Sequence, residues 1–208
     1  MSKITSKPYF LPLMVILAVL FIDQASKFWV KLNMQIGEEI SVFGNWFVLH
    51  FTENNGMAFG MEIAGEYGKI ILSVFRIIAV GLISWYLFSL PKKGASKGLM
   101  VSGALILAGA MGNIIDSVFY GKIFSESYYQ LATLFPEGGG YAPLLHGKVV
   151  DMLYFPLYQG VLPDWIPFKG GDYFIFFRPV FNIADSAITI GVASILLFHR
   201  SFFKEHIE

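Results

Sequence analysis

The sequence contains no cysteine among its 208 residues. Disulfide bonds, thiolate catalysis and cysteine-ligated metals are therefore excluded, whatever the redox compartment. Charged residues are also scarce, at 14%, where a soluble domain carries about a quarter. The formal net charge is zero, so bulk electrostatics gives no indication of nucleic-acid binding.

Recognisable metal-binding and nucleophile motifs are missing as well. The four histidines are scattered without the spacing of metal ligands, and no His-Glu-x-x-His motif occurs. Ser26 and Lys27 are neighbours, which on a helix point about 100° apart, so we reject a Ser–Lys catalytic pair. We expect no metal and no cofactor.

Hydrophobic residues, in contrast, make up 55% of the chain and aromatic residues 17%. Four apolar stretches, at about 9–30, 70–90, 98–115 and 184–198, reach or approach the roughly 20 residues that cross a bilayer as a helix. The first could be a cleaved signal peptide, but no small-x-small cleavage pattern follows it. We predict an all-α membrane protein of four transmembrane helices, forming one domain over 1–208.

Lysine and arginine in the short flanks predict the orientation, because they favour the cytoplasmic side. The segment 31–67 holds one lysine against five glutamates. Both termini are therefore predicted inside, and segments 31–67 and 117–180 outside. The basic flanking residues are Lys3, Lys7, Lys92, Lys93, Lys97, Arg200 and Lys204.

The outer segments have their own structural signals. Ile40–Phe43 and Trp46–Phe51, joined by Gly44-Asn45, predict a β-hairpin and thus a small extracytoplasmic β-cradle. The segment 117–180 is rich in glycine, proline and tyrosine, which indicates a folded loop insertion.

Two aspartates carry the chemistry that the sequence suggests. Asp116 ends the third stretch and Asp185 begins the fourth, so antiparallel spans bring both to the outer side, each three residues after an asparagine (Asn113 and Asn182). Two adjacent carboxyls share one proton and can hydrolyse an amide by acid–base catalysis. Helix capping is the alternative, but it explains only Asp185, because a helix C-terminus disfavours a carboxylate. Asp151 is a possible replacement for Asp185, in a loop context.

Further polar residues lie near the predicted spans. Asn54-Asn55-Gly56 is typical of a turn, or of amide groups that hold a substrate backbone. Asp23 and Lys27 are four residues apart and predict a structural ion pair, with a substrate role possible. Arg76, in the second span, is expected to snorkel outward or to pair with an inward-facing carboxylate.

Five motifs in order resemble those of lipoprotein signal peptidases (signal peptidase II): Asp23-Gln24-Ala25-Ser26-Lys27, Asn54-Asn55-Gly56-Met57-Ala58-Phe59, Gly112-Asn113-Ile114-Ile115-Asp116, Val149-Val150-Asp151 and Phe181-Asn182-Ile183-Ala184-Asp185-Ser186. The resemblance implies a bacterial inner-membrane aspartic peptidase with an outward-facing site and Asp116 and Asp185 as its catalytic pair. It implies a substrate site at Asn54, Asn55, Gly56, Asn113 and Asn182, and accessory roles for Asp23, Lys27 and Asp151. Its partners would be membrane lipids and diacylglyceryl-modified prolipoproteins, cleaved before the lipidated cysteine.

The chain departs from the family pattern in three respects. Ser117 follows Asp116 where the family has arginine, and Lys122, Lys148 and Arg178 are candidates to replace that cation. Met57 stands where a small residue is usual, and insertions occur around 124–146 and 157–172.

Two rival functions belong to other classes. A small transporter or proton channel would use the same carboxylates, but would place ionisable residues at the bilayer midplane between pseudo-symmetric halves. A non-catalytic assembly factor would tolerate Asp→Asn changes at both positions.

Overall fold

The computed structural model describes residues 8–55 and 65–204. Its main helices are α1 (Phe10–Asn33), α2 (Gly65–Ser89), α3 (Lys97–Ile115) and α4 (Ile183–Ser194). π-helical turns extend the last two, at Asp116–Tyr120 and Ile195–His199, followed by single helical turns at Gly121–Ile123 and Arg200–Lys204. Four stretches of the described chain are long and apolar enough to cross a bilayer, as predicted.

The third span ends later than the sequence predicted. Ser96 begins α3 by accepting a hydrogen bond from the backbone N–H of Leu99 at 3.2 Å. At the other end the helical conformation continues through Asp116 to Ile123, eight residues beyond 115. A charged side chain was expected to stop the span, but the Asp116 carboxylate is ion-paired inside the protein and does not interrupt it.

α3 is the central helix of the bundle and contacts α1, α2 and α4. In its most apolar window 44% of the residues are buried, against 11% in α2. Large apolar side chains of the other helices point away from the protein, with Phe21, Trp85 and Phe198 each more than 70% exposed. These surfaces fit contact with lipid chains.

Two glycines allow α3 to approach its neighbours closely. A Cβ atom on Gly109 would lie 2.2 Å from the Ala184 carbonyl oxygen, and one on Gly112 would lie 2.7 Å from Oδ2 of Asp23. Only glycine therefore lets the backbone of α3 touch α4 and the polar end of α1. This contact sets the distance between the functional groups of three helices.

A four-stranded antiparallel sheet covers one end of the bundle. In the described part of the chain the strands are β1 (Glu39–Phe43), β2 (Phe47–Asn54), β3 (Val149–Tyr154), β4 (Tyr158–Val161), β5 (Tyr173–Phe176) and β6 (Val180–Phe181). The sheet has the order β1-β2-β3-β6, and β4 and β5 form a separate hairpin. The predicted hairpin 40–51 is confirmed as β1 and β2.

The strand β3 corrects one prediction. Asp151 was assigned a loop context, yet it lies within β3, opposite Thr52 of β2. The pairing between β2 and β3 is irregular between Leu49 and Thr52. An irregularity of this kind changes the face to which later side chains point.

The two insertions are attached to the rest of the protein in different ways. In the segment following α3, Oγ of Ser127 accepts a hydrogen bond at 3.0 Å from Nζ of Lys31 in α1, and the same ammonium group forms a buried ion pair with Glu53 of β2. The second insertion leaves the sheet at Tyr154 and returns at Val180, and these two residues are partners in one antiparallel pair.

Candidate active site

Asn182 begins α4 and fixes the position of Asp185. Its side-chain oxygen accepts a hydrogen bond from the Asp185 backbone N–H at 2.8 Å, and the Asp185 carboxylate accepts from the Asn182 backbone N–H at 3.4 Å. This is a capping box, which satisfies two backbone donors that a helix start leaves open. Asp185 therefore does cap α4, as the alternative interpretation of the sequence proposed.

Asn113 of α3 connects this cap to the other helices. Its Nδ2 donates to Oδ1 of Asp185 at 2.8 Å, and its Oδ1 accepts from Lys27 and from Asn182, both at 3.1 Å. Because both ends of the amide are used, its orientation is determined by its neighbours. The predicted site residues Asn113, Asn182 and Asp185 are thus brought together.

Asp116 lies in a different environment from Asp185. It is fully buried, and its Oδ2 lies 2.8 Å from Nζ of Lys27. Gln24 donates to its Oδ1 at 3.0 Å, and the backbone N–H of Val150 donates to its Oδ2 at 3.2 Å. These three contacts come from α1 and β3, and they tie Asp116 to the buried ion pair rather than to Asp185.

Lys27 belongs to the same buried network and also contacts Asp23. Its Nζ lies 2.9 Å from Oδ2 of Asp23, and Asp23 Oδ1 accepts from the backbone N–H of Ala184 at 2.9 Å. The predicted ion pair between Asp23 and Lys27 is therefore present, and it links α1 to the start of α4. Both side chains are fully buried, which fits the structural interpretation of this pair.

Asp151 lies on β3 and faces the start of α4. One of its oxygens accepts from Nδ2 of Asn182 at 2.7 Å, and the other accepts from Nδ2 of Asn54. Burial raises the pKa of Asp151 to about 7, and the negative charge of Asp185 contributes further. A carboxyl that keeps its proton near neutral pH beside a second carboxyl has the property expected of an acid–base pair.

Asp185 is the more accessible member of these two. It is half-buried, whereas Asp151 is 3% exposed. Asp185 is one of the residues that line an open groove of about 310 Å³. The rest of the lining is mainly apolar and comes from Phe177, Phe181, Ser186, Thr189 and Ile190. A substrate lying in this groove would reach the Asp185 carboxyl directly.

The remaining predicted site residues have varied positions. Asn55 is exposed, and its side-chain oxygen accepts from Nζ of Lys69 at 3.1 Å. Gly56 lies outside the described residues, as does Met57. Sequence reasoning gave no role to Gln24, which donates to Asp116 and accepts from the Tyr120 hydroxyl at 3.1 Å. Its place beside Asp23, in a motif already noted, was the available signal.

Arg76 also approaches this cluster, from α2. Its Nη1 lies 3.4 Å from Oγ of Ser117, and its charge interacts with those of Asp185 and Asp116. The expectation that Arg76 pairs with an inward-facing carboxylate therefore fits the structure better than outward snorkelling.

Four apolar helices that bring aspartates and asparagines together at one end are the arrangement expected of a membrane aspartic peptidase. A family model described as signal peptidase (SPase) II, Peptidase A8, matches residues 15–203. The chain therefore belongs to the signal peptidase II family, whose members remove signal peptides from prolipoproteins. This membership decides against the transporter and assembly-factor alternatives.

Individual relatives agree with this assignment. A lipoprotein signal peptidase of Porphyromonas gingivalis is 50% identical over 184 residues, covering 88% of this chain and 80% of the relative. One from Amoebophilus asiaticus is 43% identical, covering 93% and 79%. A solved structure described as a bacterial membrane enzyme is 26% identical with a TM-score of 0.57, covering 90% of this chain and 93% of the other.

Proposed function

We propose that Asp151 and Asp185 are the catalytic pair, with Asp151 taking the role that the sequence prediction gave to Asp116. The difference in bonding partners carries this proposal. Asp116 is ion-paired with Lys27, whereas within residues 8–55 and 65–204 the hydrogen bonds to the carboxyl oxygens of Asp151 and Asp185 come from amide groups. A pair without a directly bound cation retains one proton more readily.

The chemistry follows from the two environments. Asp151, with its pKa raised to about 7, holds the proton, while the Asp185 carboxyl is open to the groove and acts as the base. Asp185 removes a proton from a water molecule, whose oxygen attacks the scissile carbonyl carbon. Asp151 donates a hydrogen bond to the carbonyl oxygen. The carbon–nitrogen bond then breaks as Asp185 transfers the proton that it took from water to the leaving nitrogen, which returns the pair to its starting state.

The substrate that we propose is a prolipoprotein carrying a diacylglyceryl group on cysteine, cut immediately before that cysteine. The apolar groove beside Asp185 supports this, because it offers room for hydrocarbon next to the carboxyl pair. Asn54 and Asn113, both half-buried and bonded to the pair, have amide groups suited to the backbone of an extended peptide. We extend the same role to Asn182, Asn55 and Gly56.

We further propose that this site faces outward from the bacterial inner membrane, with both termini in the cytoplasm. The site lies at the end of α3 opposite to its first turn, where Lys92, Lys93 and Lys97 are clustered. Lysines favour the cytoplasmic side. Since the chain has no cysteine, single Ser96→Cys and Lys169→Cys variants can be labelled in intact cells with an impermeant maleimide. Labelling of Lys169→Cys alone is expected; labelling of Ser96→Cys alone would contradict the orientation.

Cleavage of synthetic precursor peptides tests the reaction. Purified protein is incubated with a lipidated peptide and with the same peptide lacking the lipid, and the released fragments are identified by mass. Cleavage before the lipidated cysteine only is expected. Asp151→Asn and Asp185→Asn should each lower the rate by at least about 10³-fold. Asp164→Asn, an identical change at an exposed aspartate, is the matched control. Full activity in Asp151→Asn would overturn the assignment.

A further inference from the structure

α2 carries a stripe of polar residues along one face of an otherwise apolar helix. Lys69, Ser73 and Arg76 are spaced by four and three residues, which places them on the same side. Lys69 reaches Asn55, Ser73 donates to the carbonyl oxygen of Leu145 at 3.0 Å, and Arg76 reaches Ser117. This face therefore points into the protein, towards the end of the bundle that holds the carboxyl pair.

The opposite side of α2 is apolar and exposed. Ile71, Phe75 and Ile78 are 62%, 66% and 57% exposed. Large hydrocarbon side chains thus cover the outward face of α2, and Arg76 lies on the other face. An arginine kept half-buried in a span is costly unless it has a partner or a function.

Ser117, the partner of Arg76, belongs to the wall of the active site. It follows Asp116 directly, is 3% exposed, and donates to the carbonyl oxygen of Asn113 at 2.9 Å. The guanidinium is therefore held one residue from Asp116, and its charge acts on both Asp116 and Asp185. Lys27 is ion-paired with Asp116 at 2.8 Å, and Arg76 is a second cation whose charge acts on Asp185.

We propose that Arg76, together with Asp151, binds the oxygen of the scissile carbonyl and stabilises the negative charge that develops on it. This proposal rests on the proposed catalytic pair. The guanidinium offers five donors in a rigid plane, so it can bind an oxygen of the substrate while it keeps its contact with Ser117. The cations suggested by the sequence have other surroundings: Lys148, for example, lies 3.5 Å from both Glu53 and Glu126.

Arg76→Gln removes the charge and is the main test. Loss of one donor to a developing oxyanion lowers kcat by about 10²–10³-fold, and we expect KM to change less than about threefold because the interaction strengthens in the transition state. Arg76→Lys keeps the charge but lacks the planar guanidinium, so its kcat should lie between those of the unaltered chain and Arg76→Gln. Arg200→Gln, at an exposed arginine outside the site, is the matched control and should cleave like the unaltered chain.

Two variants at Ser117 separate charge from helix packing. Ser117→Ala removes the acceptor but leaves the cation, so we expect a loss of less than about fivefold, the size of one neutral hydrogen bond. Adding Ser117→Arg to Arg76→Gln returns a cation to the same wall and should recover at least about tenfold of the lost kcat. If Ser117→Ala is as damaging as Arg76→Gln and the double variant shows no recovery, Arg76 serves only to hold α2.

The pH profile provides a readout that packing alone does not move. The titratable groups of the site are Asp151 from β3, Asp185 from α4, Asp116 just after α3, Arg76 from α2, and Lys27 with Asp23 from α1. Removing the cation should shift the kcat/KM profile of Arg76→Gln towards higher pH. An unshifted profile with kcat within threefold of the unaltered chain would refute the role. An incorrect catalytic pair would instead appear as activity in Asp151→Asn.

Discussion

Replacing Asp116 with asparagine tests whether the Asp116 carboxylate has a structural role or a catalytic one. The side chain is fully buried, and Lys27, Gln24 and the backbone of Val150 donate to it. Asparagine retains the shape and one acceptor oxygen, but leaves Lys27 with less negative charge nearby. The variant should therefore be less stable, while the carboxyl pair on β3 and α4 keeps its own partners.

The magnitude follows from what remains around Lys27. Removing one partner of a buried ion pair costs about 3–5 kcal/mol. Here Asp23 still lies 2.9 Å from the ammonium group, so we expect a smaller loss, about 2–3 kcal/mol. For a chain of this size that corresponds to a fall in Tm of roughly 5–10 °C. Asp151→Asn should keep or raise Tm, because it removes a buried carboxyl whose charged form is disfavoured.

The assay combines stability with activity. Thermal unfolding in detergent is followed by tryptophan fluorescence, and peptide cleavage is measured well below both transitions. Per folded molecule, Asp116→Asn should retain at least about a tenth of the activity, whereas Asp151→Asn should lose at least about 10³-fold. The reasoning is refuted if Asp116→Asn has the Tm of the unaltered chain and no activity.

Three further predictions concern pH, packing and the cradle. Because the pKa of Asp151 is raised to about 7, its proton is lost as the pH rises through that value. Measured from initial rates, kcat/KM should therefore fall about tenfold per pH unit above pH 7. A flat profile up to pH 9 would contradict this. Gly109→Ala, where a Cβ meets a carbonyl oxygen at 2.2 Å, should lower the unfolding free energy by about 1–3 kcal/mol, whereas Gly81→Ala, with nothing within 4 Å, should have no such cost. Lys31→Met should destabilise by about 3 kcal/mol, and Lys31→Met combined with Glu53→Leu should recover most of it in chemical denaturation; equal losses in both variants would argue against the ion pair.

Hydropathy was sufficient to locate the four spans, because run length is a local property of the chain. The end of the third span was missed, since Asp116 was taken as a boundary and only the distant Lys27 makes it compatible with a continuing helix. The first hairpin was likewise predicted from a local pattern, with Gly44-Asn45 between two apolar runs.

The position of Asp151, the carboxyl on β3 that we propose as catalytic, depends on contacts that no local pattern contains. Asp151 is 97 residues from Asn54 and 31 from Asn182 in sequence, and its position follows from pairing with β2 and packing on α4. The three-residue spacing of Asn182 and Asp185, in contrast, correctly brought an amide to a carboxylate. It did so through a capping box, which serves the backbone as well as the site.

The pairing of Tyr154 with Val180 has a consequence for how this enzyme can change over time. The 25 residues from 155 to 179 form an insertion whose two ends are joined to one pair of hydrogen-bonded residues in the sheet. Lengthening such an insertion adds little closure entropy, because the cost grows only with the logarithm of its length. Evolution and protein engineers alike can therefore graft, trim or exchange this appendage while the two carboxyls on either side of it keep their separation.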